Sequence, residues 1–200
     1  MRLSPVILSV LAMILLAGLG ACSFGPDARA KHRKAPSPTP SGIYTIDHFD
    51  TCRHTDSKLL GSLVSKTTKV EPGIQKDEAN DVNLSYCTLY MWDSAGKPVT
   101  LNASVGTASS IEKNRKYFHD MRYAPDDPPG MRDYTINGIG DEAYEKSERA
   151  YRSSTDMLFV IQGNLQVEVK LNMDRLVPRS TVVPKIRAIA QGLLNAATKD

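Results

Sequence analysis

The sequence predicts an α+β fold in which an antiparallel sheet of about five strands is packed by about three helices. Apolar residues alternate along residues 82–92 and again along residues 99–105, the pattern of two half-buried strands joined as a hairpin. Two more strands, residues 157–162 and 165–173, flank Gly163-Asn164, a pair typical of a tight hairpin turn. Helical segments before, between and after these hairpins indicate one antiparallel sheet with helices packed on it.

The domain is predicted to begin with a short helix. Residues 55–65 carry three leucines at helical spacing, and Thr55 or Asp56 is placed to cap the N-terminus. The residues that follow, which include Pro72 and Gly73, are predicted to form a polar loop before the first hairpin.

A second helix follows the first hairpin. Ser109 and Glu112 have the spacing of a capping box, which predicts a helix of about three turns ending at Met121. The proline-rich residues 124–130 exclude regular structure, and residues 134–136 are predicted to be a short strand. The stretch NGIGDEAY after this strand is predicted to turn the chain back.

The C-terminal segment is predicted to be an amphipathic helix over residues 181–197. Its apolar residues recur at helical spacing: Val183, Ile186, Ala190, Leu193 and Ala197. Residues 43–200 are therefore expected to form a single globular domain, because a chain of this length is too short for two sizeable cores.

Residues 1–21 have the layout of a lipoprotein signal peptide. Arg2 precedes an apolar run that ends in Leu19-Gly20-Ala21-Cys22, a stretch that resembles the lipobox. In that chemistry the thiol of Cys22 accepts a diacylglycerol group, and cleavage makes Cys22 the new N-terminus, where acyl chains anchor the protein. A plain cleaved signal and a short transmembrane anchor across about 30 Å of hydrocarbon are the two other interpretations.

Residues 22–42 are predicted to be a lipidated cysteine followed by a basic tether. The segment has four prolines and no aliphatic residue larger than alanine, a composition that cannot form a core. Its basic residues are expected to contact anionic lipid headgroups: Arg29, Lys31, Arg33 and Lys34. The alternative is a solvated linker with ordinary charges.

The charge distribution argues against a nucleic-acid partner. The formal net charge is +3 at pH 7, but the segment before Ser41 holds five of the 25 basic residues and one of the 22 acidic ones. The remaining chain is therefore nearly neutral. Nucleic-acid binding needs a basic excess that neutralises phosphates, and we expect none here.

Cys52 and Cys87 are predicted to form a disulfide, because they remain as an even pair in an exported chain. The rival interpretation is a metal site, since His48 and His54 lie close to Cys52 in the sequence. A zinc site needs about four ligands in paired short spacings, and this spacing is absent. We expect no metal.

The sequence offers no catalytic set. Gly138 and Gly140 lack the third glycine and the following helix of a dinucleotide site, and a tight turn explains both glycines. The acidic pairs Asp126-Asp127 and Asp141-Glu142 would need burial at a fixed separation to perform acid–base chemistry. A Gly-x-Ser-x-Gly motif and a free cysteine nucleophile are also absent. We expect neither an enzyme nor a cofactor.

An aromatic row is the best lead to a binding site. Tyr86, Tyr90 and Trp92 lie at even spacing on the strand at residues 82–92 and point to one side of it. These side chains either line a ligand groove or form a core layer beneath a helix.

Four short motifs follow Cys22: DTCRHTDSKLLGSL, YCTLYMW, GIGDEAY and FVIQGNLQVEV. With these motifs and the closing helix, the chain resembles an actinobacterial family of lipoproteins whose domain has no known function. The resemblance implies an envelope lipoprotein and no known catalytic residues. The element order is also similar to that of the Mog1/PsbP-like sandwich, a fold of binding and assembly proteins, and this similarity concerns the fold alone.

These observations predict a lipid-anchored lipoprotein on the extracytoplasmic side of the cell membrane. It is expected to be a non-catalytic binding or accessory module for an envelope protein or a small envelope ligand. One alternative is an enzyme acting on envelope polymers, which would need a deep cleft with two convergent carboxylates or a His–Ser pair. Another is a structural subunit of a membrane assembly, which would expose a large apolar patch.

Overall fold

A computed structural model describes residues 42–78, 81–125 and 127–198 of the 200-residue chain. These residues form an α+β fold, as the sequence predicts, with one antiparallel sheet of seven strands in the order β1-β2-β3-β7-β6-β5-β4. The strands are β1 (Lys66–Asp77), β2 (Val82–Trp92), β3 (Pro98–Ala108), β4 (Arg132–Ile136), β5 (Glu142–Arg149), β6 (Ser154–Gln162) and β7 (Leu165–Met173). The helices are α1 (Thr51–His54), a 3₁₀ helix (Ser57–Leu63), α2 (Ile111–Arg122) and α3 (Arg179–Ala197).

The prediction of about five strands is too low, because it omits β1 and β5. β1 occupies the segment predicted as a polar loop. It pairs with β2 at one edge of the sheet, and most of its side chains are exposed, so it lacks the apolar alternation that identifies a strand. Pro72 is tolerated there because an edge strand has one side without ladder hydrogen bonds. β5 is a strand whose central residues are polar yet buried.

The single helix predicted over residues 55–65 is replaced by two shorter ones. Asp50 caps α1 and Asp56 caps the 3₁₀ helix, each with a side-chain oxygen that accepts a backbone N–H of the first turn. Gly61 has φ 55°, outside the helical region, and this residue prevents a continuous helix.

The main core lies between α3 and one side of the sheet, which we call the helix face. α3 begins two residues before its predicted start and buries Val182 in place of the predicted Val183. It packs mainly on β6 and β7, with α1 and the 3₁₀ helix beside it. The strand residues of this core are almost fully buried: Leu101, Val105, Leu158, Val160, Val167, Val169 and Leu171.

α2 lies on the opposite side of the sheet and covers only part of it. Phe118 of α2 contacts the rings of Tyr144 and Phe159, with ring centroids 4.9 and 5.7 Å away. Ser110, one residue later than predicted, is the N-cap and accepts the N–H of Lys113 at 3.1 Å. The part of this side formed by β1, β2 and β3 is left largely uncovered, and we call it the open face.

Asn164 fixes the point at which the chain enters the domain. Its side chain accepts the N–H of Tyr44 at 2.7 Å and donates to the carbonyl oxygens of Tyr44 and Ala108 at 3.1 and 2.9 Å. Gly163, at φ 58°, supplies the tight turn that places Asn164 there. The predicted Gly163-Asn164 turn therefore also clamps the segment that follows the tether.

Cys52 of α1 and Cys87 of β2 form a disulfide, as predicted. Cys87 is almost completely buried on the helix face, and the bond holds α1 against the sheet. Thr51 supports the same contact, because its hydroxyl donates to the carbonyl oxygen of Ser85 at 2.8 Å. Within the described ranges, no helix has the length and apolarity needed to cross a membrane.

Candidate functional site

The aromatic row predicted from the sequence lies on the open face. Tyr86, Tyr90 and Trp92 are 38%, 39% and 43% exposed, so these side chains do not form a core layer. The core interpretation is wrong because the opposite face of β2 is the buried one, with Cys87, Leu89 and Met91 beneath the helices. The row therefore faces solvent.

Tyr86 has the best-defined position of the three. Its ring lies directly across Gly73 of β1, where a β-carbon would overlap the ring. A glycine opposite an aromatic residue allows the ring to lie flat on the neighbouring strand. The ring therefore forms a floor of the open face.

Tyr90 is bordered by charged side chains of β1. The Nζ atom of Lys69 lies 5.5 Å from the Tyr90 ring centroid, and Lys69 also forms an ion pair with Glu71. The carboxylate of Glu71 raises the pKa of Tyr90 above its ordinary value. These groups are solvent-exposed, so the energy of the ion pair is small.

A cavity of about 210 Å³ lies next to Tyr86 on the open face. Its polar lining includes Ser104 and Glu168, together with Thr88, whose hydroxyl donates to the side-chain oxygen of Asn102 at 2.9 Å. Burial raises the pKa of the Glu168 carboxyl, and Lys170 opposes that rise. Among the residues that the structure describes, no side chain donates a hydrogen bond to this carboxyl group, so it is available to a ligand.

The glycine-rich stretch has a structural role. A β-carbon at Gly140 would lie 2.5 Å from the carbonyl oxygen of Ile161, so only glycine permits this close approach. The Asp141 carboxylate accepts the N–H of Gly163 at 2.7 Å and supports the β6–β7 turn. The stretch therefore packs the β4–β5 connection against the β6–β7 hairpin.

The acidic pairs are not brought together. Asp126 lies outside the described residues, and Asp127 pairs with the buried Lys146. Glu142 lies near His119, with 3.6 Å between Oε2 and Nε2, on the α2 side. His54 stacks on Phe49 with ring centroids 4.9 Å apart. The described part of the chain contains no group of three metal-ligating side chains.

The structure also forms a cavity that sequence reasoning missed, which we call the arginine pocket. It has a volume of about 730 Å³ and lies on the helix face, between β4, β5 and the N-terminus of α3. Its lining includes three arginines, from β4, β5 and α3 respectively: Arg132, Arg149 and Arg179. Leu176, Val177 and the ring of Tyr134 supply apolar surface.

Buried carboxylates fix two of the arginines. Arg179 donates from Nε to one oxygen of Glu145 at 2.6 Å and from Nη2 to the other at 2.5 Å. Arg149 similarly holds Asp156 at 2.9 Å. Burial raises the pKa of Glu145, and the guanidinium of Arg179 opposes that rise. The three arginines lie far apart in sequence, so no local motif indicates this pocket.

Cys22 and the tether residues Arg29, Lys31, Arg33 and Lys34 lie outside the described residues. Lipidation and headgroup contact therefore stay predictions.

No protein-family profile matches the chain. Among solved structures, the domain is similar to the extracellular domain of PknH from Mycobacterium tuberculosis, with 10% identity and a TM-score of 0.41. The match covers 72% of this chain and 90% of the PknH domain.

Proposed function

We propose that this protein is a lipid-anchored lipoprotein of the extracytoplasmic membrane surface that binds an envelope ligand or partner without chemical turnover. The observation that carries the proposal is the sequence Leu19-Gly20-Ala21-Cys22 at the end of an apolar run, followed by a domain with the Cys52–Cys87 disulfide. A disulfide persists in oxidising compartments, which agrees with export. Acyl chains on Cys22 would hold the domain at the membrane, since each buried methylene contributes about 0.8 kcal/mol.

The open face supports a binding role. Its row of half-exposed aromatic rings lies beside a cavity that holds an unpaired carboxyl group, Glu168. Aromatic side chains with a few fixed polar groups are typical of sites that bind by contact. In this proposal the tether residues Arg29, Lys31, Arg33 and Lys34 contact anionic headgroups and the open face contacts the ligand.

A structural subunit of a membrane assembly is the second candidate function. The observation that favours it is β1, an edge strand on which Val70 and Ile74 are 50% and 81% exposed. An edge strand offers unpaired backbone groups to a partner strand. Replacing Ile74 with lysine would weaken capture of such a partner and leave a ligand on the open face unaffected.

Intact mass spectrometry of the membrane-extracted full chain tests the proposal. The expected species begins at Cys22, carries acyl mass and gains two hydrogen atoms on reduction. A Cys22→Ala variant should lose the acyl mass. A wild-type chain that retains Met1 or carries no acyl group would exclude the lipoprotein assignment, and two free thiols before reduction would exclude the disulfide.

A further inference from the structure

The arginine pocket has the size of a small-molecule site. Its volume of about 730 Å³ is more than twice that of each other cavity described for this domain, which range from about 190 to 280 Å³. Pockets for small organic ligands measure about 300–1,000 Å³. The pocket lies on the opposite side of the sheet from the open face, so it is a separate site.

The charges in the pocket do not balance. Three guanidinium groups line it, and two carboxylates, Glu145 and Asp156, pair with them. Arg132 is exposed, and its side chain has no hydrogen bond or ion pair to any residue in the described ranges. One positive charge therefore remains for a ligand.

Arg179 is held in a fixed orientation with donors to spare. Its Nε and Nη2 groups bind Glu145, and its Cζ atom lies 3.9 Å from the ring centroid of Tyr134. Its Nη1 group donates to no acceptor among the described residues. Because Glu145 and Tyr134 already restrict the side chain, a ligand loses little of its binding energy in ordering it.

The start of α3 adds to the positive potential. The 19-residue helix begins at Arg179, and its N-cap, Pro178, forms no side-chain cap hydrogen bond. The first-turn N–H groups of such a helix favour anions. Pro178 and Arg179 both line the pocket, so the helix terminus and the arginines act on the same space.

We propose that the arginine pocket binds a small molecule with one carboxylate or phosphate group attached to an apolar body. The anionic group contacts Arg132 and the Nη1 group of Arg179 at the start of α3. The apolar body contacts Leu176, Val177 and the Tyr134 ring, which line the same cavity. This inference goes beyond the proposed function and does not depend on lipid anchoring.

Isothermal titration calorimetry of the full chain in a non-ionic detergent tests the inference. The probes are benzoate, phenyl phosphate and the neutral benzamide. We expect saturable one-to-one binding of at least one anion, and no saturable binding of benzamide. Benzoate alone would identify a carboxylate ligand, and phenyl phosphate alone a phosphate ester. Binding of benzamide as tight as that of the anions, or no saturable binding of any probe, would overturn the proposal.

Two matched pairs of variants locate the site. Arg132→Gln should weaken anion binding about tenfold, since it removes one charge-assisted contact, while Arg53→Gln on α1 makes the same change in net charge outside the pocket. Leu176→Glu should weaken anion binding about tenfold more than Leu176→Gln, because both variants lose the apolar contact and only the glutamate adds a negative charge to the pocket. Arg132 and Leu176 are exposed, so these variants should fold. Equal loss in Arg53→Gln and Arg132→Gln would show attraction to overall charge and overturn the proposal.

Discussion

Replacing Asn164 with alanine tests whether its side chain clamps the entry segment to the sheet. Asn164 is 2% exposed and makes three hydrogen bonds, to the two backbone groups of Tyr44 and to the carbonyl oxygen of Ala108. The Tyr44 groups are half-buried and regain water in the variant. Ala108 is buried, so water does not readily replace the Asn164 donor at its carbonyl oxygen, which adds to the cost.

The loss of these three hydrogen bonds should lower the free energy of unfolding by about 3 kcal/mol, at a net contribution of about 1 kcal/mol each. For a domain of this size that loss lowers Tm by about 6–12 °C. The assay is urea denaturation followed by circular dichroism, with a thermal scan on the same samples. Gln162→Ala is the matched control, because Gln162 makes one partly buried hydrogen bond to the Tyr44 hydroxyl. Gln162→Ala should lower the free energy of unfolding by less than about 1 kcal/mol.

The Asn164→Asp variant distinguishes the stability that comes from the hydrogen bonds of Asn164 from the stability that comes from its preference for a turn. Asparagine and aspartate are both favoured in turns, but a carboxylate has no N–H to donate to the Tyr44 and Ala108 carbonyl oxygens. The aspartate variant should therefore be at least as unstable as the alanine variant. If Asn164→Ala is as stable as Gln162→Ala, or if Asn164→Asp matches the wild type, the clamp does not contribute as described.

Two further predictions concern stability. The disulfide closes a loop over a sequence separation of 35. The Cys52→Ala/Cys87→Ala variant should therefore have a free energy of unfolding about 3.8 kcal/mol lower than the wild type, measured by urea denaturation without reductant. A decrease of less than about 1 kcal/mol would argue against the bond. The Asp93 carboxylate accepts the N–H groups of Lys97 and Ala95 at 2.8 Å, and the Lys97 N–H is the main cause that holds the pKa of Asp93 below its usual 3.8. The pKa of Asp93 is lower in the folded state than in the unfolded state. The stabilisation is therefore fully present at a pH above the unfolded-state pKa, and it is lost as the pH falls through the folded-state pKa. Asp93→Asn should therefore lower the free energy of unfolding by about 2 kcal/mol at pH 7 and by progressively less below about pH 4. A decrease that does not depend on pH would contradict stabilisation by the ionised Asp93 carboxylate.

Most of the elements predicted correctly have one apolar side. β2, β3, β6 and β7 bury alternate side chains along much of their length, and α3 buries one helical stripe. That periodicity is visible in the sequence. β1 was missed because an edge strand with little burial has no such pattern. Its strand structure depends on pairing with β2, which the sequence does not display.

β5 was missed for the opposite reason, since its polar residues are buried. Glu145 is fully buried beside Arg179, 34 positions later, and Lys146 is buried beside Asp127, 19 positions earlier. A charged residue in sequence suggests a solvent-exposed position unless its distant partner is known. The arginine pocket escaped prediction in the same way, because the β4–β5 pairing and the start of α3 bring its residues together.

The aromatic row shows a different limit. Its spacing correctly placed Tyr86, Tyr90 and Trp92 on one side of β2, but period-two spacing does not tell which side of a strand a helix will cover. In the folded chain α2 packs over β6 and β7 and the adjoining part of β3, and Phe118 also contacts Tyr144 of β5. The position of α2 along the sheet therefore decides that the row is a surface.

The strand order has a consequence for how the chain folds. β1, β2 and β3 pair with their neighbours in sequence, and so do β4, β5, β6 and β7, which gives two meanders that form from local contacts. A single seam joins them, the pairing of β3 with β7, in which Leu101 lies opposite Leu171 across about 70 residues. Because closing that loop costs more chain entropy than forming either meander, we expect the pairing of β3 with β7 to limit the rate at which the complete core forms.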